Sequence, residues 1–240
     1  MRVSVVGGHG KTGRAVGAAL ARRGHEAVPL GRADWPTLAD WPALAEAMGG
    51  CHAAYLIAPN LHPDEPAYVG AALDAARAAG IERVVLHSVA APYAPAMPHH
   101  LGKAAAEDVV RRGGLSWTIL QPGAYLQNVD LTRTVRIAYR ADAPFGFADL
   151  DDVAEAAAVV LTEPGHDGAT YELASRRATV AELAAEAGVD VEVIGLEEWA
   201  ATDGADLDPR VRDGLLAMFA YYDAHGLPVG TLPLRALLGR

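Results

Sequence analysis

The chain of 240 residues has a single cysteine, Cys51, which rules out an intrachain disulfide and makes the reducing cytoplasm the expected compartment. Long apolar runs are missing as well. Although 51% of the residues are apolar, charged residues interrupt them well short of the roughly 18 consecutive positions a membrane span needs, so no membrane partner is expected. The opening Met1-Arg2 leads straight into the strand-like VSVV and lacks the three regions of a secretory signal. Basic residues nowhere cluster beyond pairs such as Arg111-Arg112, and the net charge is -10, so the electrostatic footprint of a nucleic-acid binder is absent. Of nine histidines only His99 and His100 adjoin, and no His, Cys or carboxylate set has ligand spacing, so no metal is expected. No G-x-S-x-G elbow occurs, which removes the commonest α/β hydrolase arrangement. The partner left is a small molecule.

What the sequence does have is an alternation of β-branched runs and Ala-rich segments of helical period. Strands are expected at 2–6, 26–30, 53–58, 83–88 and 116–120, with helices at 11–23, 66–79 and 100–112 between them. Between the second and third strands DWPTLA (34–39) is followed at once by DWPALA (40–45). Each copy reads as an Asp N-cap with Pro just inside a helix; the second is taken as the helix start, running to Met48, and the first as loop. After an irregular stretch beyond Leu120, a capped helix is expected at 151–161 and a strand at 170–174. Parallel neighbours need long crossovers, so the expected fold is α/β, a doubly wound parallel sheet of the Rossmann type. It should occupy 1–175, with loop 124–148 contributing to a substrate cleft and a small, mostly helical lobe at 176–240 lying over the sheet's carboxyl edge. Phe219, Tyr221, Tyr222 and Trp199 read as core of that lobe.

Two phosphate motifs compete for GGHGKTG. A P-loop, G-x-x-x-x-G-K-[ST], would need glycine at position 5, where Val5 stands in mid-strand. Gly8-x-Gly10-x-x-Gly13, or Gly7-x-x-Gly10-x-x-Gly13, fits both in spacing and in following a strand and opening a helix. Such glycines let the chain turn tightly, admit a pyrophosphate to the backbone and seat the helix on the sheet, with free N–H groups at its N-terminus. Beyond the second strand the chain reads VPLGR, with no acid before Asp34. An acid there would hold a ribose 2′-hydroxyl, whereas Arg32 can fork onto a 2′-phosphate, so NADP(H) is favoured over NAD(H). Lys11 and Arg14 add positive potential nearby.

The runs GGHGKTGRAV, LHSVA, HHLGKAAAEDVVRRGGLSWTILQPGAYLQN, DLDDVAEAAAVVLTEPGHDGATYELA and YYDAHGLPVGTLPLRALLGR together resemble the NmrA-like branch of the atypical short-chain dehydrogenases, over nearly the whole chain. That branch includes NADPH-dependent quinone, azo-dye and triphenylmethane-dye reductases and NADP-sensing regulators. The resemblance implies that Gly7, Gly10, Lys11, Thr12 and Gly13 form the diphosphate turn, that Arg32 meets the 2′-phosphate, and that Ala58 and Pro59 border the riboses. It places Ser88 at the superfamily's catalytic serine, Lys103 and Glu107 in a K-x-x-x-E pattern, and Pro122, Gly123, Ala124 and Tyr125 beside the nicotinamide. Gln121 stands where arginine is commoner.

One departure is chemical. The superfamily's Y-x-x-x-K pairs a tyrosine acid with lysine, but four residues before Lys103 stands His99. On a helix that spacing shares a face, and an ordinary imidazole pKa near 6.5 suits proton donation, so His99 is an acid candidate beside Lys103 and Ser88; alternatively it belongs to the Pro-rich loop before the helix. Tyr125 and Asn128 are candidates to face substrate. A ketone would need a positioned acid, whereas a quinone takes hydride to a delocalised anion that water protonates. The leading expectation is NADPH-dependent hydride transfer to a quinonoid or conjugated aromatic acceptor. A sensor that binds NADP(H) without turnover, and a redox-neutral isomerase or cyclase, are the alternatives.

Overall fold

The β-branched run Arg2–Val6 forms β1, an interior strand of a six-stranded parallel sheet in the computed structural model, which describes all 240 residues. Around it the expected alternation is present: α1 (Lys11–Arg22), β2 (Glu26–Leu30), α2 (Trp41–Ala47), β3 (Ala53–Leu56), α3 (Glu65–Ala78), β4 (Arg83–His87), α4 (Pro98–Arg111) and β5 (Ser116–Pro122). Next come β6 (Ala124–Tyr125), β7 (Val135–Ile137), β8 (Phe145–Ala148), α5 (Leu150–Thr162) and β9 (Ala169–Leu173). The remainder holds β10 (Arg176–Ala178), α6 (Val180–Ala187), β11 (Val191–Val193), α7 (Leu196–Ala201), α8 (Pro209–His225) and α9 (Leu232–Leu238). No helix is long and apolar enough to cross a membrane.

The main sheet runs β2-β1-β3-β4-β5-β9. Its strands are apolar on both sides because helices cover both faces: Val3, Val5 and Tyr55 pack with α1 and α5, while Val6, Ala54 and Leu56 pack with α2 and α3. Each large buried side chain in these layers contributes about 1.5–3 kcal/mol. The chain leaves β1 for β2 on one side and reaches β3 on the other, so the crevice at this reversal opens past the carboxyl ends of β1 and β3.

Local chemistry departs from expectation in the repeat. The first copy is not all loop but holds a 3-10 turn, Leu38–Asp40, and Asp40 accepts hydrogen bonds from the Thr37 amide (3.0 Å) and hydroxyl (2.7 Å) instead of capping α2. At α5 the cap is Asp149, which accepts from the Asp151 amide at 2.8 Å.

The stretch after Leu120 is also more regular than its sequence pattern. Strand β8 pairs with β6 and, antiparallel, with β10, and β7 pairs with β11. These strands are two to four residues long, too short to show a period, and β10 and β11 lie beyond residue 175. Segment 124–148 and the C-terminal segment therefore share small sheets. Their junction with the main sheet is drawn tight by glycines: a Cβ on Gly123 would stand 2.1 Å from the Gly146 oxygen, and one on Gly146 would stand 2.4 Å from Val229 Cβ and 2.8 Å from its nitrogen. The Gly146 amide donates to Leu227 O at 2.8 Å.

Backbone cannot move aside as a side-chain tip can. Gly146→Ala should therefore destabilise the protein by about 1–3 kcal/mol, read as a lower urea midpoint. An unchanged midpoint would show that this junction is not close-packed.

Candidate active site

Past the end of β1 the chain turns at Gly7, whose φ of +81° is left-handed, and α1 begins after Gly10, which offers no side-chain cap. A Cβ on Gly13 would lie 2.4 Å from Gly7 O and 2.5 Å from Gly8 Cα, so the helix rests directly on the turn. A Cβ on Gly10 would meet only Gly7 O, at 3.3 Å, and would otherwise project into open cleft. The unpaired amides and positive end of α1 are thus bordered by backbone with no side chain in the way. A cradle of this kind, closed by a single methyl group, fits the diphosphate of a dinucleotide.

The cradle is one end of a cleft of about 1050 Å³. Most residues singled out from the sequence border it: Gly7, Gly10, Lys11, Thr12 and Gly13 on the turn, Arg32 after β2, and Ala58 and Pro59 after β3. Ser88 follows β4, His99 and Lys103 lie on α4, Pro122 ends β5, and Gly123, Ala124, Tyr125 and Asn128 lie on the segment that follows through β6. Gly8 instead packs on Pro29, Arg14 donates to the His9 carbonyl, and Glu107 and Gln121 bond to each other beneath the cleft. The turn and that loop are tied by Lys11, whose Nζ donates to Asn128 Oδ1 at 3.1 Å. Lys11 and Lys103 are the only lysines in the chain. Beyond β2 Arg32 is exposed, and Asp34, the first acid after β2, accepts from the Gly31 amide at 2.9 Å and so serves the turn.

At the other end, α4 begins at Pro98, so His99 is helical and not part of the preceding loop. Burial, then the Lys103 charge, then His100, push its pKa down to about 4. His99 is neutral at neutral pH, and an imidazolium donor is not available there. Lys103 Nζ lies 2.7 Å from Glu65 Oε1, with both side chains buried, and this is the only polar contact of the Glu65 carboxylate. Burial raises the Glu65 pKa against the opposing influence of Lys103. Ser88 donates to Glu107 Oε1 at 2.5 Å, and Gln121, the residue in place of the commoner arginine, donates to the same oxygen at 2.7 Å. Beneath the loop, His87 links two phenols, Tyr55 at Nδ1 (2.6 Å) and Tyr125 at Nε2 (3.3 Å). Burial, with help from Lys103, pushes the His87 pKa down to about 3, while burial raises both phenols, so the chain of three is neutral.

Aromatic side chains from two segments close the cleft. Phe145 and Phe147 of β8 stack at 5.4 Å, and Phe145 meets Tyr222 of α8 edge-on at 5.3 Å. Phe219, Tyr222 and Trp199, read from sequence as lobe core, also line the cleft, because α8 lies between that core and the opening; Tyr221 instead turns to His225. Sequence reasoning missed Glu65, His87 and Tyr55. Glu65 carried one readable signal, an acid in the first turn of a helix, and that signal has an ordinary capping explanation.

The sheet, its reversal point and the bare cradle define a dinucleotide-binding protein. The chain belongs to the NAD(P)H-binding family, which it matches over residues 36–164, just over half its length. It is 29% identical over 163 residues to an NAD(P)H azoreductase of Xenophilus azovorans, covering 62% of this chain and 56% of that one. With quinone oxidoreductase 2 of Escherichia coli it shares 34% identity over 125 residues, 48% of this chain and 42% of the other. The chain thus spans about half the length of the curated relatives it matches. A solved NADPH-dependent quinone oxidoreductase of Escherichia coli, complexed with NADPH, superposes with a TM-score of 0.82 over 99% of this chain and 95% of its own, at 22% identity, a likeness of fold.

Two outcomes test this geometry. Gly10→Ala should fold with only a small drop in thermal midpoint, its methyl group pressing on Gly7 O alone, yet bind NADPH at least about tenfold more weakly; unchanged affinity would remove the cradle argument. The second concerns acid. Unfolded, His87 and His99 take up protons as the pH falls through about 6.5; folded, they do so only near 3 and 4 respectively. Stability should therefore be greatest above about pH 6.5 and decline as the pH falls toward 4. His99→Gln should flatten that decline in urea midpoints taken at pH 7 and pH 4.5, and an identical slope would mean that His99 titrates normally.

Proposed function

We propose that the protein is an NADPH-dependent reductase that transfers hydride to a quinonoid or other conjugated aromatic acceptor, with residues 1–175 holding the cofactor and 176–240 covering the acceptor. One observation carries this reading: the acceptor end of the cleft joins an aromatic wall to histidines that are neutral at neutral pH, with no charged acid in the position of the superfamily tyrosine. When bound, the reduced nicotinamide supplies the two electrons and the proton of a hydride. The chain's own residues bind, orient and exclude water. The half-buried rings of Phe219, Trp199 and Tyr139, backed by Phe145 and Tyr222, offer surface against which a flat acceptor stacks, which fixes the approach distance and removes competing water. Hydride addition to such an acceptor gives an anion spread over the ring system, and solvent supplies its proton, so a dedicated acid contributes little.

Lys103 has the place to donate to a ribose hydroxyl or to the acceptor oxygen, and Glu65 keeps the ammonium aligned in its buried setting. Ser88, engaged with Glu107, shapes the floor of the site. His99 and Asn128 border the acceptor as neutral hydrogen-bonding groups, and Tyr125 is braced by His87 beside the nicotinamide. For the cofactor, Arg32 at the adenosine end and the engagement of Asp34 in its turn support NADPH over NADH.

The test is turnover. Mixed with NADPH and a panel of 1,4-quinones and azo dyes, the protein should consume reduced nicotinamide, followed by its absorbance. Tight binding with no turnover on any acceptor would sink the reductase and favour the sensor. His99→Phe should leave the quinone rate within about threefold, whereas a loss of about 10² or more would restore an acid role to His99. Arg32→Ala should weaken NADPH by on the order of ten- to hundredfold and NADH far less; equal losses would remove the phosphate argument.

A further inference from the structure

Beside the main cleft, and sharing Arg32, Pro59 and Tyr68 with it, lies a second cavity of about 470 Å³. Its walls come from the loop after β2, the loop after β3 and, unexpectedly, the first turn of α8, which contributes Arg210. Arg32 and Arg210 thus meet in one small cavity that has no carboxylate among its lining residues, in a chain where acids outnumber basic residues thirty to twenty. Two guanidinium groups lining one cavity without a carboxylate give it positive potential, which favours an anionic guest. Trp35 lines the same cavity, and its buried indole N–H has no acceptor within the chain. A buried donor left in that condition is unfavourable, and an acceptor on the guest would relieve it.

Arg210 is held with some care. Its Nη1 donates to Leu61 O at 2.6 Å, and Leu61 has a φ of +53°, a left-handed conformation unusual for leucine. Gly214, one turn further along α8, lies against the Leu61 side chain: a Cβ there would stand 3.0 Å from Leu61 Cδ2. The bond to Leu61 uses one of the five guanidinium N–H groups and leaves the others for a guest.

We propose that Arg210 is a second anchor, with Arg32, for the 2′-phosphate of the cofactor. This rests on the NADPH reading given above and deepens it, because the anchor lies on a different segment of the chain. The same helix carries Leu215, Met218, Phe219 and Tyr222 to the acceptor end at i, i+3, i+4 and i+7 spacing. Cofactor choice at one end and the acceptor wall at the other are thereby joined by one rigid element.

The experiment compares adenosine 2′,5′-bisphosphate with AMP, which differ only in the 2′-phosphate, together with NADPH and NADH, by calorimetry on the full chain. Wild type should prefer the bisphosphate. Arg210→Ala should weaken the bisphosphate and NADPH by on the order of tenfold and leave AMP and NADH unchanged, and Arg210→Lys should recover part of the loss. Equal weakening of AMP and bisphosphate would reduce Arg210 to a support for the Leu61 loop and overturn the proposal. So would an unchanged bisphosphate affinity in Arg210→Ala beside a loss in Arg32→Ala, an outcome that leaves the NADPH reading standing. A wild type that does not distinguish the two probes would bring down both.

Discussion

The architecture of the site depends on where one buried carboxylate docks. Glu107 has no exposure, and four residues converge on it: Ser88 after β4 at 2.5 Å, Gln121 on β5 at 2.7 Å, Arg111 one turn along α4 at 3.0 Å, and the Tyr93 hydroxyl at 3.4 Å. A buried charge is tolerated only when its lone pairs are met by donors of this quality, so the rotation of α4 about its axis is set by this junction. Lys103, one turn earlier on the same helix, is thereby turned toward the cleft and toward Glu65. Two sheet ends, one helix and the buried lysine share a single electrostatic requirement.

What the sequence disclosed followed the range of the interactions. Strand β1, the glycine turn and α1 lie within 22 residues, and each leaves a local mark: β-branched residues, glycine spacing, an Ala-rich helix ended by glycine. The same holds for most of the alternation that builds the main sheet, and for the cleft residues reached through motif resemblance. The small sheets of the lobe left no such mark, because a strand of two or three residues has no period and its partner is a fold-level choice. Asp40 misled for a related reason: an Asp before a Pro looks like a cap, yet Thr37 three residues back competes for the same carboxylate. Glu65 meets Lys103, and Arg210 meets Leu61, across separations that no spacing rule addresses. His87 read as an ordinary strand end, and its link to Tyr55 exists only because β3 and β4 are neighbours in the sheet.

The cleft changes character along its length. Toward the glycine turn and Arg32 it is polar and cationic, with backbone amides, Lys11 and Arg32 on its walls. Toward the proposed acceptor end the ring systems of β8 and α8 take over, and the ionisable groups there are either neutral through burial or paired, Lys103 with Glu65 and Arg136 with Glu192, Glu198 and Asp203. Low polarity at that end strengthens whatever hydrogen bonds remain. In the proposed reaction the charged end would anchor the cofactor far from the reacting atoms, a use of remote contacts to hold a reactive group in place.

The scarcity of certain side chains has a consequence for a protein proposed to handle electrophiles. Quinones and related acceptors arylate thiolates and free amines. Here the one thiol, Cys51, is 6% exposed and has its pKa raised by burial, and the side-chain amines number two, of which Lys103 is enclosed with its carboxylate partner. Cationic surface charge is carried instead by arginine, whose guanidinium stays protonated and is a poor nucleophile. The exterior therefore offers such compounds few places to attach.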